Sequence, residues 1–204
     1  MKRSLSLLLA LVLAVSLTAC GSSEPPTGTV TGDAYENPAA GFGFALDSGW
    51  SFATDELLDM TEASMKEKGT GYDPGVQVAD MMAFRDDRTA SVTVHYTAMT
   101  AAERITFSTI DEEDYMDQAL QQKDIMISTY ARSGILVTSV EKVKVNFCGE
   151  ERYALLTVGT SDGEDRYSLQ LVCLDLGSYY MMLTVTSFGE DTTGELLELF
   201  YSLD

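Results

Sequence analysis

An α+β fold is predicted for this chain, and two patterns in it carry the prediction. From Val143 to Val185 apolar residues recur with period two in four successive runs, whereas from Tyr115 to Ala131 they recur with the 3.6-residue period of a helix. A third feature sets the limits of the domain. A short hydrophobic leader ends in Leu17-Thr18-Ala19-Cys20, and the residues just after it are poor in anything that could join a core.

The leader has Lys2 and Arg3 as its positive end, an apolar stretch from about Leu5 to Leu17, and small residues before the cut. That stretch is too short to span a ~30 Å hydrocarbon core, which takes ~20 helical residues, so residues 1–19 read as a signal peptide that is removed. An ordinary cleavage site would show A-x-A-like small residues. Here a Leu, a small pair and a Cys stand in series before Gly21, a pattern that resembles the lipobox of bacterial lipoproteins. The resemblance implies that Cys20 takes a diacylglycerol group and becomes the first mature residue. Each buried CH₂ contributes about 0.8 kcal/mol and one acyl chain holds only marginally, so a diacyl Cys20 anchors stably. Residues 20–34 are then the lipidated Cys and a flexible linker. Rich in Gly, Ser, Thr and Pro, the linker has a root-mean-square reach of roughly 20 Å and a limit near 50 Å. Residues 35–204 form a single globular domain.

Within the domain, Tyr35 to Phe52 carries Gly41-Phe42-Gly43-Phe44 and Gly49-Trp50-Ser51-Phe52, apolar pieces punctuated by Gly that suggest a hairpin. Asp55 to Lys68, with Leu57, Leu58, Met60 and Met65, reads as a short helix stopped by Gly69. Val76 to Phe84 and Ser91 to Met99 are strands around an Arg85-Asp86-Asp87-Arg88 turn. Thr109-x-x-Glu112 reads as a capping box opening a helix that runs to Gly134, with Tyr115, Ala119, Met126 and Tyr130 on one stripe. Four strands follow, joined at Cys148-Gly149-Glu150-Glu151, Asp162-Gly163 and Leu176-Gly177-Ser178, and so form an antiparallel meander. Glu195 to Leu203 is expected to close the chain as a helix. The middle strands are apolar on both faces, since Ala154 and Leu156 oppose Leu155 and Val172 opposes Leu171. Helices or the N-terminal hairpin must therefore cover both sides of the sheet.

This order of elements, with Tyr35-x-Asn37, Gly41-Phe42-x-Phe44 and Gly49-Trp50 as local signatures, resembles the PsbP-like family over Tyr35 to Asp204. Asp47-Ser48 stands where such proteins often carry a Pro before the Gly-Trp. The resemblance implies an α/β/α sandwich with a central, mainly antiparallel sheet. It also implies a scaffold more than a chemistry, because family members known as binding or assembly factors lack a shared catalytic site.

The chain carries 13 basic and 32 acidic residues, a net charge of −19, and loss of Lys2 and Arg3 with the leader makes it more negative still. Such a surface repels phosphate backbones and anionic headgroups, which argues against nucleic-acid partners. Two acidic runs are the candidates for a cation site. Ser161-Asp162-Gly163-Glu164-Asp165 lacks the length and alternation of a calcium loop and fits a hairpin turn, and Asp111-Glu112-Glu113-Asp114 sits where acids complement a helix dipole. No metal site and no cofactor are expected.

The chain has one His, so a histidine metal cluster is impossible. On its strand His95 shares the more polar face with Thr93 and Thr97, which predicts a solvated or incidentally hydrogen-bonded imidazole rather than a general base. Gly-x-Ser-x-Gly does not occur, and Ser139-x-x-Lys142 lies in a strand, where the two side chains point to opposite faces. No catalytic residue is assigned, and the chain is not read as an enzyme. Lys123 falls within the apolar arc of the long helix. It is read as a stem lying over apolar surface or, alternatively, as a buried partner of a carboxylate at a ligand pocket. Trp50, with Phe42, Phe44, Tyr153, Tyr167, Tyr179 and Tyr180, is read as core or as the wall of a ligand groove. Cys148 and Cys173 remain once Cys20 is lipidated. An extracytoplasmic pair invites a disulfide, yet the hairpin register sets Cys173 near Tyr153, about five residues from Cys148, which favours free buried thiols.

The expectation is a non-catalytic binding or accessory protein of the cell envelope, held on the extracytoplasmic face of the cell membrane through Cys20 and working with a protein partner. The competing expectation is a small-ligand or divalent-cation-binding module associated with a transporter.

Overall fold

The computed structural model describes residues 24–60 and 77–203. The leader, Cys20 and the later part of the helix expected over 55–68 lie outside the described residues, while 55–60 are helical as expected. Eleven strands and four further helices follow in the order β1 (Thr29–Thr31), β2 (Ala34–Asn37), β3 (Phe42–Ala45), β4 (Trp50–Phe52), β5 (Gln77–Arg85), β6 (Ala90–Ala98), α1 (Ala101–Phe107), α2 (Glu112–Gln121), α3 (Lys123–Arg132), β7 (Ile135–Phe147), β8 (Glu150–Ser161), β9 (Glu164–Leu176), β10 (Tyr179–Phe188), α4 (Thr193–Leu197) and β11 (Phe200–Ser202). They build two antiparallel sheets, a small one ordered β1-β2-β3-β11 and a large one ordered β4-β5-β6-β10-β9-β8-β7. The fold is α+β, as predicted.

The meander β7-β8-β9-β10 stands as the alternating sequence requires. Two of its three two-residue connections have two positive φ angles, Cys148 at 53° and Gly149 at 86°, Asp162 at 54° and Gly163 at 87°, while the third, at Gly177-Ser178, has one, Gly177 at 70°. Two such residues in series set a turn whose twist matches that of the flanking strands. Glycine takes the second place at little cost, and Asp tolerates the first.

Each face of the large sheet is covered differently. Ala154, Leu171, Met181 and Leu183 pack with Tyr35, Phe42 and Phe44 of the small sheet, Phe200 of β11, and Leu196 and Leu197 of α4. Leu155, Val172 and Tyr180 point the other way, toward Met116, Ala119 and Met126 of α2 and α3 and Phe107 of α1. Among the described residues the order of layers is small sheet, large sheet, helices, with the four-stranded sheet and the short α4 on the face opposite α1, α2 and α3. Edge-to-face contacts between Phe42 and Phe147 and between Phe42 and Phe200, with ring centroids 5.5 and 5.7 Å apart, fill the space between the two sheets.

Four expectations are corrected. Residues 24–34, placed in the flexible linker, belong to the fold: β1 pairs with β2 from Thr29–Glu36 to Thr31–Ala34, and the residues before it are held by side chains of the domain. A segment without apolar side chains can be ordered through its backbone groups, which composition does not reveal. The N-terminal hairpin is β2 with β3 alone, because β4 crosses to the large sheet and pairs with β5. The long helix expected from Thr109 to Gly134 is two helices, α2 and α3, preceded by the separate α1. The capping box opens α1 at Thr100-x-x-Glu103, where Glu103 N donates to Thr100 Oγ1 at 3.2 Å and Thr100 N to Glu103 Oε2 at 2.7 Å. The expected box at Thr109-x-x-Glu112 does not form, since Asp111 caps α2 and Glu112 is engaged elsewhere. The closing helix ends at Leu197, and Phe200 to Ser202 pair with β3, which carries Phe200 into the aromatic core.

Candidate functional site

Between the helices and the large sheet lies an apolar groove of about 500 Å³. Its floor is the helix-facing side of three adjacent strands: Leu155 of β8, Gln170 of β9, and Tyr180 and Met182 of β10. The period of two places Tyr180 and Met182 on one face. Its walls are Phe107 of α1, Tyr115, Met116, Gln118 and Ala119 of α2, and Ile125, Met126, Thr129 and Tyr130 of α3, with Gln122 at the junction of α2 and α3.

Three rings form one end. Phe107 meets Tyr115 edge-on at 5.5 Å and Tyr180 at 5.7 Å, while Tyr115 and Tyr180 lie 6.2 Å apart. The capping box at Thr100 starts α1 so that Phe107 closes this corner. Arg166, which does not line the groove, holds its guanidinium 5.6 Å from the centre of the Tyr130 ring. Burial raises the Tyr130 hydroxyl above the usual tyrosine range, against the opposing effect of Arg166.

Among the described residues, the groove-lining side chains include no Asp, Glu, Lys, Arg or His. Their polar atoms are the amides of Gln118, Gln122 and Gln170 and the hydroxyls of Thr129 and the tyrosines. Such walls receive an apolar body, and the amides can both donate to and accept from a neutral polar group. The helix breaks at Gln122, whose φ and ψ of −98° and 15° leave the helical range, so that two separate helices, α2 and α3, build this wall.

That break also decides the place of Lys123. At 100° per residue an unbroken helix would carry it into the apolar arc. In the structure it opens α3, is exposed, and does not line the groove. The reading of Lys123 as a buried carboxylate partner at a ligand pocket is corrected. Trp50 is likewise absent from the groove: it is buried on the opposite face, edge-on to Phe44 at 6.0 Å, and is core. Of the aromatic set considered, Tyr180 alone lines the groove.

Cys148 and Cys173 are not joined in a disulfide, and each is partly buried at the rim of the core between the sheets. Cys148 occupies the first place of the β7–β8 turn and Cys173 sits on β9 opposite Met181 of β10. Burial pushes the Cys148 thiol up. His95 does share a face with Thr93, and it is partly buried. Flanked by Ala79 on β5 and Met182 on β10, it loses hydration, which pulls its pKa down to about 4 and leaves it neutral at physiological pH. Among the described residues no group of His, Cys, Asp and Glu could hold a metal ion.

A second hollow, of about 510 Å³, lies on the far side of Phe107 and is lined by Arg104, Asp111, Glu112, Arg152 and Cys173. Its charged groups already have partners. Arg152 Nε lies 2.5 Å from Glu112 Oε2, and Arg104 Nη1 donates to Ser178 Oγ at 3.4 Å. The apolar groove is the better candidate, since its walls meet no such competition.

Its residues come from six elements, which is why no single motif announced them. The one local signal is Gln118 and Gln122, polar side chains four apart beside the apolar stripe. Among the described residues no helix is long and apolar enough to cross a membrane. No family model matches the chain, and no curated protein matches it at a significant level. Among solved structures it is similar to cyanobacterial PsbP (CyanoP) from Synechocystis sp. PCC 6803, determined in solution, with 11% sequence identity and a TM-score of 0.46 over 90% of this chain and 96% of that one.

Proposed function

We propose that this chain is a lipid-anchored, extracytoplasmic, non-catalytic binding protein of the cell envelope, tethered to the membrane by diacylglycerol on Cys20, with a PsbP-like domain whose helix-covered groove is its binding site. The observation that carries the reading is the groove itself. A space of about 500 Å³ with apolar and aromatic walls and a few neutral amides has the size and chemistry of a small-molecule site. Walls that carry no acid or base among the described residues favour an uncharged ligand, because a charge buried there would find no partner. The same observation favours the small-ligand half of the competing transporter-module reading over its divalent-cation half, since a hard cation needs oxygen ligands with charge.

Thermal unfolding of the full chain with increasing concentrations of uncharged ring and alkyl compounds, such as indole and N-octylacetamide, tests the groove. A compound at 100 times its Kd is expected to stabilise by about 2.7 kcal/mol. Ala119→Trp, which fills the groove, should abolish the response while the variant stays folded. No response from any compound, or an equal response in the filled variant, would defeat the reading. The anchor is tested separately: Cys20→Ala should lose incorporation of labelled fatty acid and leave the membrane fraction.

A further inference from the structure

The residues before β1 are held by a polar cluster on the side of the large sheet opposite the groove. β5 bulges between Ala79 and Met81, so that Asp80 is the extra residue opposite Val94 and His95. A bulge re-aims a side chain, and here it carries the Asp80 carboxylate to the chain that enters the small sheet. Gly28 N donates to Asp80 Oδ2 at 2.9 Å and to Oδ1 at 3.2 Å, and Tyr35 Oη donates to Oδ2 at 2.5 Å. One step earlier the Pro26 carbonyl accepts from Tyr96 Oη at 2.6 Å and from Asn37 Nδ2 at 3.3 Å, and Asn37 Nδ2 also donates to Tyr35 Oη at 2.9 Å. Gly28 lies flat on the Tyr35 ring, where a Cβ would come within 2.4 Å of the ring carbons. Tyr35, Asn37 and Tyr96 are fully buried, so the donors and acceptors of this clasp are withdrawn from water and are costly to leave unpaired.

From Cys20 to Tyr35 the chain could reach near 50 Å, but from Cys20 to Pro26 it spans at most about 22 Å however extended. We infer that the clasp of Pro26 and Gly28 by Asp80, Tyr35, Asn37 and Tyr96 moors the domain at the bilayer surface, with the β5–β6 flank of the large sheet beside the lipid headgroups. The inference rests on the anchor at Cys20 proposed above. Its consequence is that the domain acts on whatever lies at headgroup level and does not search the space several nanometres beyond it.

Two measurements on the full, lipid-modified chain test the mooring. Hydrogen exchange reads the clasp alone: the Gly28 amide should be protected and should exchange at least tenfold faster in Asp80→Ala and in Gly28→Ala. Energy transfer reads the height, from a donor dye on Asp33→Cys, in a chain carrying Cys148→Ser and Cys173→Ser, to headgroup-labelled lipid in phosphatidylcholine vesicles. Transfer should be strong in the parent and at least halved both in Asp80→Ala and by ten Gly-Ser residues inserted after Gly21. An unprotected Gly28 amide in the parent overturns the clasp while leaving the anchor standing. Equal transfer in parent and Asp80→Ala overturns the mooring even if the clasp exists. A parent chain whose mass shows no lipid on Cys20 overturns the mooring together with the anchor, whatever Gly28 does.

Discussion

Glu112 Oε2 lies 2.5 Å from Arg152 Nε, and Glu112 Oε1 accepts the Tyr153 amide at 2.8 Å. The pair sits where the large sheet comes apart. β8 pairs with β9 only from Leu155–Gln170 to Ser161–Glu164, so the ladder is open between the start of β8 and the end of β9. Glu112, from the first turn of α2, takes an amide that a neighbouring strand would otherwise accept, and Arg152 Nη2 donates across the gap to the Val172 carbonyl at 3.1 Å. Glu112→Ala should cost about 2–3 kcal/mol in chemical denaturation, because it removes the countercharge of a partly buried guanidinium and the acceptor of the Tyr153 amide. Glu112→Gln, which keeps an acceptor for Tyr153, should lose less. Equal losses would show that the carboxylate charge, not the amide, is what α2 supplies.

Two groups should bend the stability curve in opposite directions with pH. Burial raises the Asp80 carboxyl above the usual range despite the hydrogen bonds from Tyr35, Gly28 and Asn37 that oppose it. The folded state then holds its proton more tightly than the unfolded state. Stability from Asp80 is fully present below its unfolded pKa and is lost as pH rises through the folded value. The stability difference between the parent and Asp80→Asn should therefore shift against the parent as pH rises from about 4, and then level off.

His95 has the reverse sign. Its folded pKa of about 4 lies below the unfolded value, so its contribution is present at neutral pH and is lost as pH falls from about 6.5 toward 4, by about 2–3 kcal/mol in all. As the chain has a single His, its imidazole resonances can be followed by NMR without assignment. A titration midpoint near 6.5 would show that the ring is hydrated after all.

Gly43 and Tyr201 make a contact that no substitution pattern in β3 would suggest. A Cβ on Gly43 would sit 2.3 Å from the Tyr201 ring, and Tyr201 is the residue opposite Gly43 across the β3–β11 pairing. Gly43→Ala should destabilise by about 1–3 kcal/mol by pushing the ring off its glycine. In a Tyr201→Ser background the same change should cost little, and the double-mutant cycle measures the coupling.

The thiols of Cys148 and Cys173 should take up two alkyl groups in denaturant without prior reduction, in full-length chain carrying Cys20→Ala. Mass spectrometry reads the result. Uptake of two groups only after reduction would restore the disulfide.

Sequence alone determined what depends on local pattern. The meander from Val143 to Val185 was legible because a period of two admits no other element, and the turn at Asp162-Gly163 was legible because few residue pairs take two positive φ angles in series. That both faces of the large sheet are covered followed from strands apolar on both sides. What only tertiary structure decided were matters of partnership. Whether β4 pairs with β3 or β5, whether Phe200 ends a helix or a strand, and whether Trp50 faces a ligand or the core are settled by which distant element fills the space. The ordering of Pro26 and Gly28 was hidden for the same reason, since backbone atoms carry no sequence signature and their partners, Asp80 and Tyr96, lie more than fifty residues away. The groove was least legible of all. Its walls come from six elements, and a break at Gln122 that no proline or glycine announces sets which side chains face it.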